Sequence, residues 1–253
     1  MIPLKDNIPT DRFPLVTVAL ILANVVVYLL SIRHGGSLIS GPDNQEVVKY
    51  GAIPFAVTHP GDHCGLVANA TIVCTPRPLP NTIPASETVF TAMFMHASII
   101  HIGGNMLFLW IFGNNVEDAM GPVKYFCFYI CGGVAALALQ VAINPGSPTP
   151  TLGASGAIAA VLGGYIVLYP RARVLALVII ILLVTVIELP AIVVLGIWFV
   201  VQAVFGAAGL TTPTGSGGGV AYFAHVGGFA FGLLTIRLLA TRRRPVPPRY
   251  PVY

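Results

Sequence analysis

Charge is what this sequence has least of. Thirteen Lys and Arg and nine Asp and Glu make up 9% of its 253 residues, while 56% are hydrophobic and the mean hydropathy is +0.84. A soluble domain carries roughly 25% charged residues, so this chain cannot cover a water-facing surface of its own size. That excludes an ordinary soluble enzyme, a disordered chain and a nucleic-acid binder that works through a basic face. A polytopic membrane protein is what remains. A second absence concerns the first apolar run, 15–32, which no small-residue cleavage site follows. It reads as a retained helix and not as a signal peptide. A third is the lack of an organellar presequence, which with the compact form leads us to expect a bacterial plasma membrane.

Further apolar runs cover 90–112, 125–143, 152–169, 174–208 and 222–240. A crossing helix needs about 20 residues, and 174–208 is too long for one straight span and is interrupted by Glu188 and Pro190. We divide it into an interfacial or partly inserted segment, 174–187, and one span, 189–205. The expected fold is thus an all-α, six-helix membrane bundle over 15–240. An outer loop occupies 33–89, the N-terminal segment 1–14 is cytoplasmic, and 241–253 forms a disordered cytoplasmic tail. Charge placement favours six spans over seven. Lys5, Arg12, Lys124, Arg171, Arg173, Arg242, Arg243, Arg244 and Arg249 then lie inside, and only Arg33, Lys49 and Arg77 outside, as the positive-inside rule requires.

The polar residues left in or near the spans include Asn24, His96, His101, Asn105, Ser155, Glu188, Gln202 and His225. Such groups are costly in hydrocarbon and mark function by default. His101 and Asn105, four apart, share one helix face; taken alone they also fit interhelical hydrogen bonds that hold a bundle together. Ser155, in Gly153-Ala154-Ser155-Gly156, starts the fourth span, where free backbone N–H groups and the helix dipole offer donors for an oxyanion. A capping or packing role fits a lone Ser equally well. His225 starts the sixth span, and its Gly228 and Gly232 can press against the small residues of the fourth. Ser155 and His225 then sit at similar depth. No acid lies near either in sequence, so a catalytic reading is a Ser–His dyad and not a triad.

Three segments together resemble the rhomboid family of intramembrane serine proteases: His96-Ala97-Ser98-Ile99-Ile100-His101-Ile102-Gly103-Gly104-Asn105, Gly153-Ala154-Ser155-Gly156 and Ala224-His225-Val226-Gly227-Gly228. The segment Glu188-Leu189-Pro190-Ala191 leading to Trp198 and Gln202 also looks like a bacterial branch of that family. The resemblance implies a six-helix bundle with Ser155 as nucleophile and His225 as general base. It makes His101, Asn105 and the Ser155 backbone N–H the oxyanion hole. It implies substrates with transmembrane helices weakened by Gly, Ser or similar residues, in a lipid bilayer, with no cofactor, no metal and no nucleic acid; it leaves the oligomeric state open. The sequence departs from many members by lacking a Trp-Arg pair in the first outer loop, its only tryptophans being Trp110 and Trp198. A non-catalytic scaffold for transmembrane helices and a transporter are the competing classes. A transport path should show polar residues at several depths, and no internal repeat is visible.

Lesser features complete the reading. Cys64 and Cys74 either close a small disulfide loop or remain thiols, and Cys127 and Cys131 read as core residues of the third span. His59, His63 and Cys64 lack the second ligand pair that a metal site needs. Glu117 either pairs with Lys124 or accepts backbone donors. Glu188 is either a buried functional acid or faces the interface. The Gly-rich segment 211–219 is a candidate cap over the site.

Overall fold

The computed structural model describes residues 1–67, 71–180, 183–211 and 221–241. Residues 212–219 of the candidate cap and the tail from 242 onward lie outside the described residues.

Strand β1 (Ile2–Asp6) leads into helix α1 (Leu15–Ser31). The next segment carries α2 (Asn44–Tyr50), α3 (Pro54–Thr58), the hairpin β2 (His63–Val67) and β3 (Thr71–Thr75), and α4 (Ala85–Thr91). Helix α5 (Ile99–Phe108) runs through a π-helical turn (Leu109–Gly113) into α6 (Asn114–Met120). That helix stops at Gly121, whose φ of +83° only glycine adopts readily. Then come α7 (Pro122–Ile143), α8 (Ser155–Leu168), the hairpin β4 (Arg173–Ile180) and β5 (Leu183–Pro190), α9 (Ala191–Thr211) and α10 (Tyr222–Leu239). Among the described residues, three helices are long and apolar enough to cross a membrane: α7, α9 over Ala191–Gly209, and α10; α1 and α8 are shorter apolar helices.

Helix α8 is the centre of the molecule. Every residue from Gly156 to Tyr165 is buried, because its small side chains let α7 and α10 approach closely. A Cβ added at Gly228 would meet the Gly156 carbonyl oxygen at 2.0 Å, and one at Gly232 the Ala160 oxygen at 2.0 Å. From the other side, a Cβ at Gly163 would meet the Phe229 oxygen at 2.1 Å. The small-residue contact between the fourth and sixth apolar segments is thus present, with backbone against backbone.

Several expectations are corrected. The described chain is not all-α. Residues 174–180 and 183–187 lie in the antiparallel strands β4 and β5, and β4 also pairs antiparallel with β1, giving the sheet order β1-β4-β5. Their composition explains this, since Val174, Val178, Ile179, Val184, Thr185, Val186 and Ile187 are β-branched and favour strands. Glu188 consequently lies in a strand and not in a span, and Arg173 Nη1 approaches its Oε2 at 3.5 Å. The helix of the second apolar run spans Ile99 to Met120 rather than 90–112: Ser98 starts it by accepting from the His101 N–H at 3.2 Å, and Gly121 ends it. Cys127 and Cys131 are exposed, on the side of α7 away from buried Phe128, Gly132 and Gly133.

The end of the bundle opposite Ser155 is tied by acids. The Glu117 carboxylate accepts from the backbone N–H groups of Val16 and Thr17 at 2.9 and 2.8 Å and from the Thr17 hydroxyl at 2.8 Å. It thereby caps α1 where the dipole favours an anion. Of the two sequence-based alternatives, backbone donors are the one realised. Asp6 at the end of β1 accepts from Asn115 Nδ2 at 2.6 Å and from the Tyr165 hydroxyl, so the N-terminal strand is joined to both α6 and α8. Burial pushes the Asp6 carboxyl up to about 6, the Tyr165 hydrogen bond offsetting part of that rise. A folded-state value above the unfolded one stabilises fully below the unfolded value and is lost as pH rises through the folded one. Thermal unfolding in detergent is therefore expected to show stability falling between about pH 4 and pH 6. Asp6→Asn should remove that slope; an unchanged slope would assign it to another group.

Candidate active site

Four segments converge on one cavity of roughly 520 Å3, lined among others by His101, Asn105, Ser155, Trp198, Gln202 and His225. Ser155 opens α8. The preceding Gly153 has φ +120°, a conformation that side chains resist, and a Cβ there would press on His101 Nε2 at 2.8 Å. Glycine at this position thus both turns the chain into α8 and leaves room for the imidazole. The N-cap residue Ala154 makes no side-chain hydrogen bond to the start of α8, where the first N–H groups have no partner within the helix.

His225 sits in the first turn of α10. Gln140 of α7 accepts there from the Ala224 N–H at 3.3 Å, and the Gly228 contact with Gly156 holds that turn against the start of α8. The result is a distance of 2.7 Å between Ser155 Oγ and His225 Nε2. Seventy residues apart in sequence, the two predicted dyad members are in hydrogen-bond contact, with both side chains half-buried. On the far side of the ring, His225 Nδ1 lies 2.7 Å from Gln202 Oε1. Trp198, one turn earlier on α9, has its ring centroid 5.6 Å from that of the imidazole.

The two further predicted residues lie on α5. His101 Nδ1 takes the Ala97 N–H at 3.4 Å, which leaves the ring proton on Nε2, the nitrogen beside Gly153. His96 is buried edge-on to His101, with ring centroids 5.0 Å apart. Asn105 is buried, and its Nδ2 donates to no atom among the described residues although the side chain lines the cavity. A buried amide left without an acceptor costs free energy, and a group bearing negative charge in the cavity would remove that cost. The arrangement therefore combines a hydroxyl, a base in contact with it, and N–H donors from two helices around one space.

The remaining candidates lie elsewhere. Cys64 and Cys74 face each other across β2–β3 and are joined by a disulfide. His59 stacks on the Phe55 ring, with centroids 4.0 Å apart. Gln202 is the residue that sequence reasoning left without a role: it stood among the polar groups of an apolar run, four residues after Trp198, and nothing in the sequence said which helix it faces.

The family model described as "Rhomboid domain" matches residues 86–242. Over 158 residues the chain is 31% identical to "Rhomboid protein 1, mitochondrial" of Saccharomyces cerevisiae, covering 60% of this chain and 41% of that protein. It is 31% identical over 96 residues to human "Presenilin-associated rhomboid-like protein, mitochondrial", covering 36% and 25%. To "RHOMBOID-like protein 12, mitochondrial" of Arabidopsis thaliana it is 33% identical over 102 residues, covering 34% and 30%. The matches thus span less than half the length of each relative. All three relatives are mitochondrial by name. This overturns the bacterial plasma membrane, with cytoplasmic termini, expected from the sequence, since an apolar composition specifies lipid but not which membrane.

Proposed function

The chain belongs to the rhomboid family, and from that premise we propose that it is an intramembrane serine endopeptidase cutting transmembrane segments of other proteins with a Ser155–His225 dyad. The 2.7 Å contact between Ser155 Oγ and His225 Nε2 inside a cavity walled by apolar helices carries the reading. A seryl hydroxyl is a weak nucleophile until a base takes its proton. In the proposed reaction His225 Nε2 takes that proton as Oγ bonds to the substrate carbonyl carbon. The carbonyl electrons move to oxygen, and Asn105 Nδ2, His101 Nε2 and the Ser155 backbone N–H donate to the resulting oxyanion. Collapse breaks the C–N bond, His225 returns the proton to the leaving amine, and water cleaves the acyl-enzyme by the same route in reverse.

Water must reach this chemistry although hydrocarbon excludes it. We assign six spans: α1, the continuous α5–α6 helix, α7, α8, α9 and α10. The cavity then opens on the side opposite the basic residues Lys124, Arg171 and Arg173. The protease unit is 15–240, and the mitochondrial relatives lead us to assign it to a mitochondrial membrane. Its substrates are transmembrane helices whose backbone, loosened by Gly or Ser, can expose a carbonyl. No cofactor or metal takes part in the proposed chemistry, and no nucleic acid is a partner.

The test uses the full chain in detergent or liposomes with a single-span substrate and a fluorophosphonate probe. Wild type is expected to cleave and to be labelled, and Ser155→Ala to do neither. Cleavage undiminished in Ser155→Ala would remove the proposal. Asn105→Ala is expected to lower turnover by roughly 10²-fold with little change in thermal stability, because its amide nitrogen donates to no atom among the described residues. Unchanged turnover would take Asn105 out of the oxyanion hole.

A further inference from the structure

A dyad without a carboxylate leaves one physical problem open. The imidazole must keep its lone pair on Nε2, toward the hydroxyl, and its proton on Nδ1, and it must not rotate. In a triad the acid does both. Here the group at Nδ1 is Gln202, whose Oε1 lies 2.7 Å away. An amide oxygen can only accept, so this contact requires the proton on Nδ1 and leaves Nε2 as the acceptor facing Ser155 Oγ at 2.7 Å. Trp198, on the same face of α9, lies against the ring at 5.6 Å between centroids and limits its tilt. Helix α9 is itself held to α10 by stacked pairs, Phe199 with Phe229 at 4.5 Å and Phe205 with Tyr222 at 5.7 Å, so the acceptor is presented from a fixed element.

We propose that Gln202 is the positioning residue for His225, its side-chain oxygen holding the imidazole in the tautomer and orientation in which Nε2 receives the Ser155 proton. The assignment rests on the dyad reading above and extends it to a third helix. The choice of an amide has a reason. A carboxylate at this depth would carry the cost of a charge in an apolar bundle, whereas a neutral acceptor fixes the tautomer without one.

The test compares Gln202→Met, of similar length but with no oxygen, and Gln202→Glu, which keeps an acceptor, with wild type in the same cleavage and labelling assays. Gln202→Met is expected to lower kcat by roughly 10- to 100-fold, leaving KM and the thermal unfolding temperature near wild type and slowing fluorophosphonate labelling in parallel. Gln202→Glu is expected to recover kcat to within about 10-fold of wild type. Gln202→Leu serves in place of the Met variant if that one does not fold. Wild-type kcat in the folded Met or Leu variant, a Glu variant as slow as the Met variant, or a loss confined to KM or to stability would each overturn the role. If Ser155→Ala is inactive while these outcomes occur, only the Gln202 assignment fails; if Ser155→Ala cleaves normally, the dyad itself fails.

Discussion

His225→Ala is expected to reduce cleavage by roughly 10⁴- to 10⁶-fold, the span of losses when single triad residues are removed from a serine hydrolase. Without Nε2 at 2.7 Å, the Ser155 hydroxyl keeps an alcohol's ordinary reluctance to lose its proton, and no group among the described residues replaces the acceptor at that distance. Labelling by the fluorophosphonate probe should be lost with cleavage, since both need the same activated oxygen. Binding should not change. The cavity walls come from α5, α7, α8 and α9 as well as α10, and the substitution removes atoms from the cavity without moving those helices. Crosslinking of a single-span substrate to the variant is therefore expected at wild-type yield. Cleavage within 10-fold of wild type would show that a base other than His225 serves Ser155. Lost crosslinking would make His225 a binding residue instead.

The polar part of this site was legible because the apolar part is so uniform. Ser155, His225, His101 and Asn105 are among the few groups that a lipid-embedded segment cannot tolerate without a purpose, and all four line one cavity. The contact between α8 and α10 was legible too, from Gly228 and Gly232 four residues apart. What sequence could not say is which face of an apolar helix looks inward. In water the polar face marks the outside, but in lipid both faces are apolar, so Cys127 and Cys131 were placed in the core although they are exposed. The same uniformity hid the contact between Gln202 and His225, 23 residues apart. The β4–β5 hairpin was missed for a related reason: a continuous apolar run carries no period that separates strand from helix. Its β-branched composition was the available signal. At Ser98 the signal was the cap, a hydroxyl three residues before His101 that starts α5 where hydropathy shows no boundary.

Gly228→Ala tests whether catalysis depends on how closely two helices lie. Real Cβ atoms are essentially never found within 3.0 Å of a heavy atom, yet this one would meet the Gly156 carbonyl oxygen at 2.0 Å. Backbone on one side and backbone on the other leave nothing flexible to yield, so α10 must move off α8 by about 1 Å. Ser155 is the neighbour of Gly156, and His225 lies one turn before Gly228, so the displacement falls on the dyad itself. A 2.7 Å contact lengthened by that amount is no longer a hydrogen bond, and a misplacement of this size costs roughly 10²-fold in turnover. Gly232→Ala provides the control. Its Cβ would meet the Ala160 oxygen at the same 2.0 Å, one turn further from the dyad, so it should lower the thermal unfolding temperature as much while costing less turnover. Equal turnover losses would mean that activity follows overall stability. A larger loss in Gly228→Ala at matched stability would mean that the glycines set the distance between nucleophile and base. Among the described residues no carboxylate and no disulfide joins α8 to α10 beside Ser155 and His225, so backbone contact at these glycines is what brings the two proposed dyad members together.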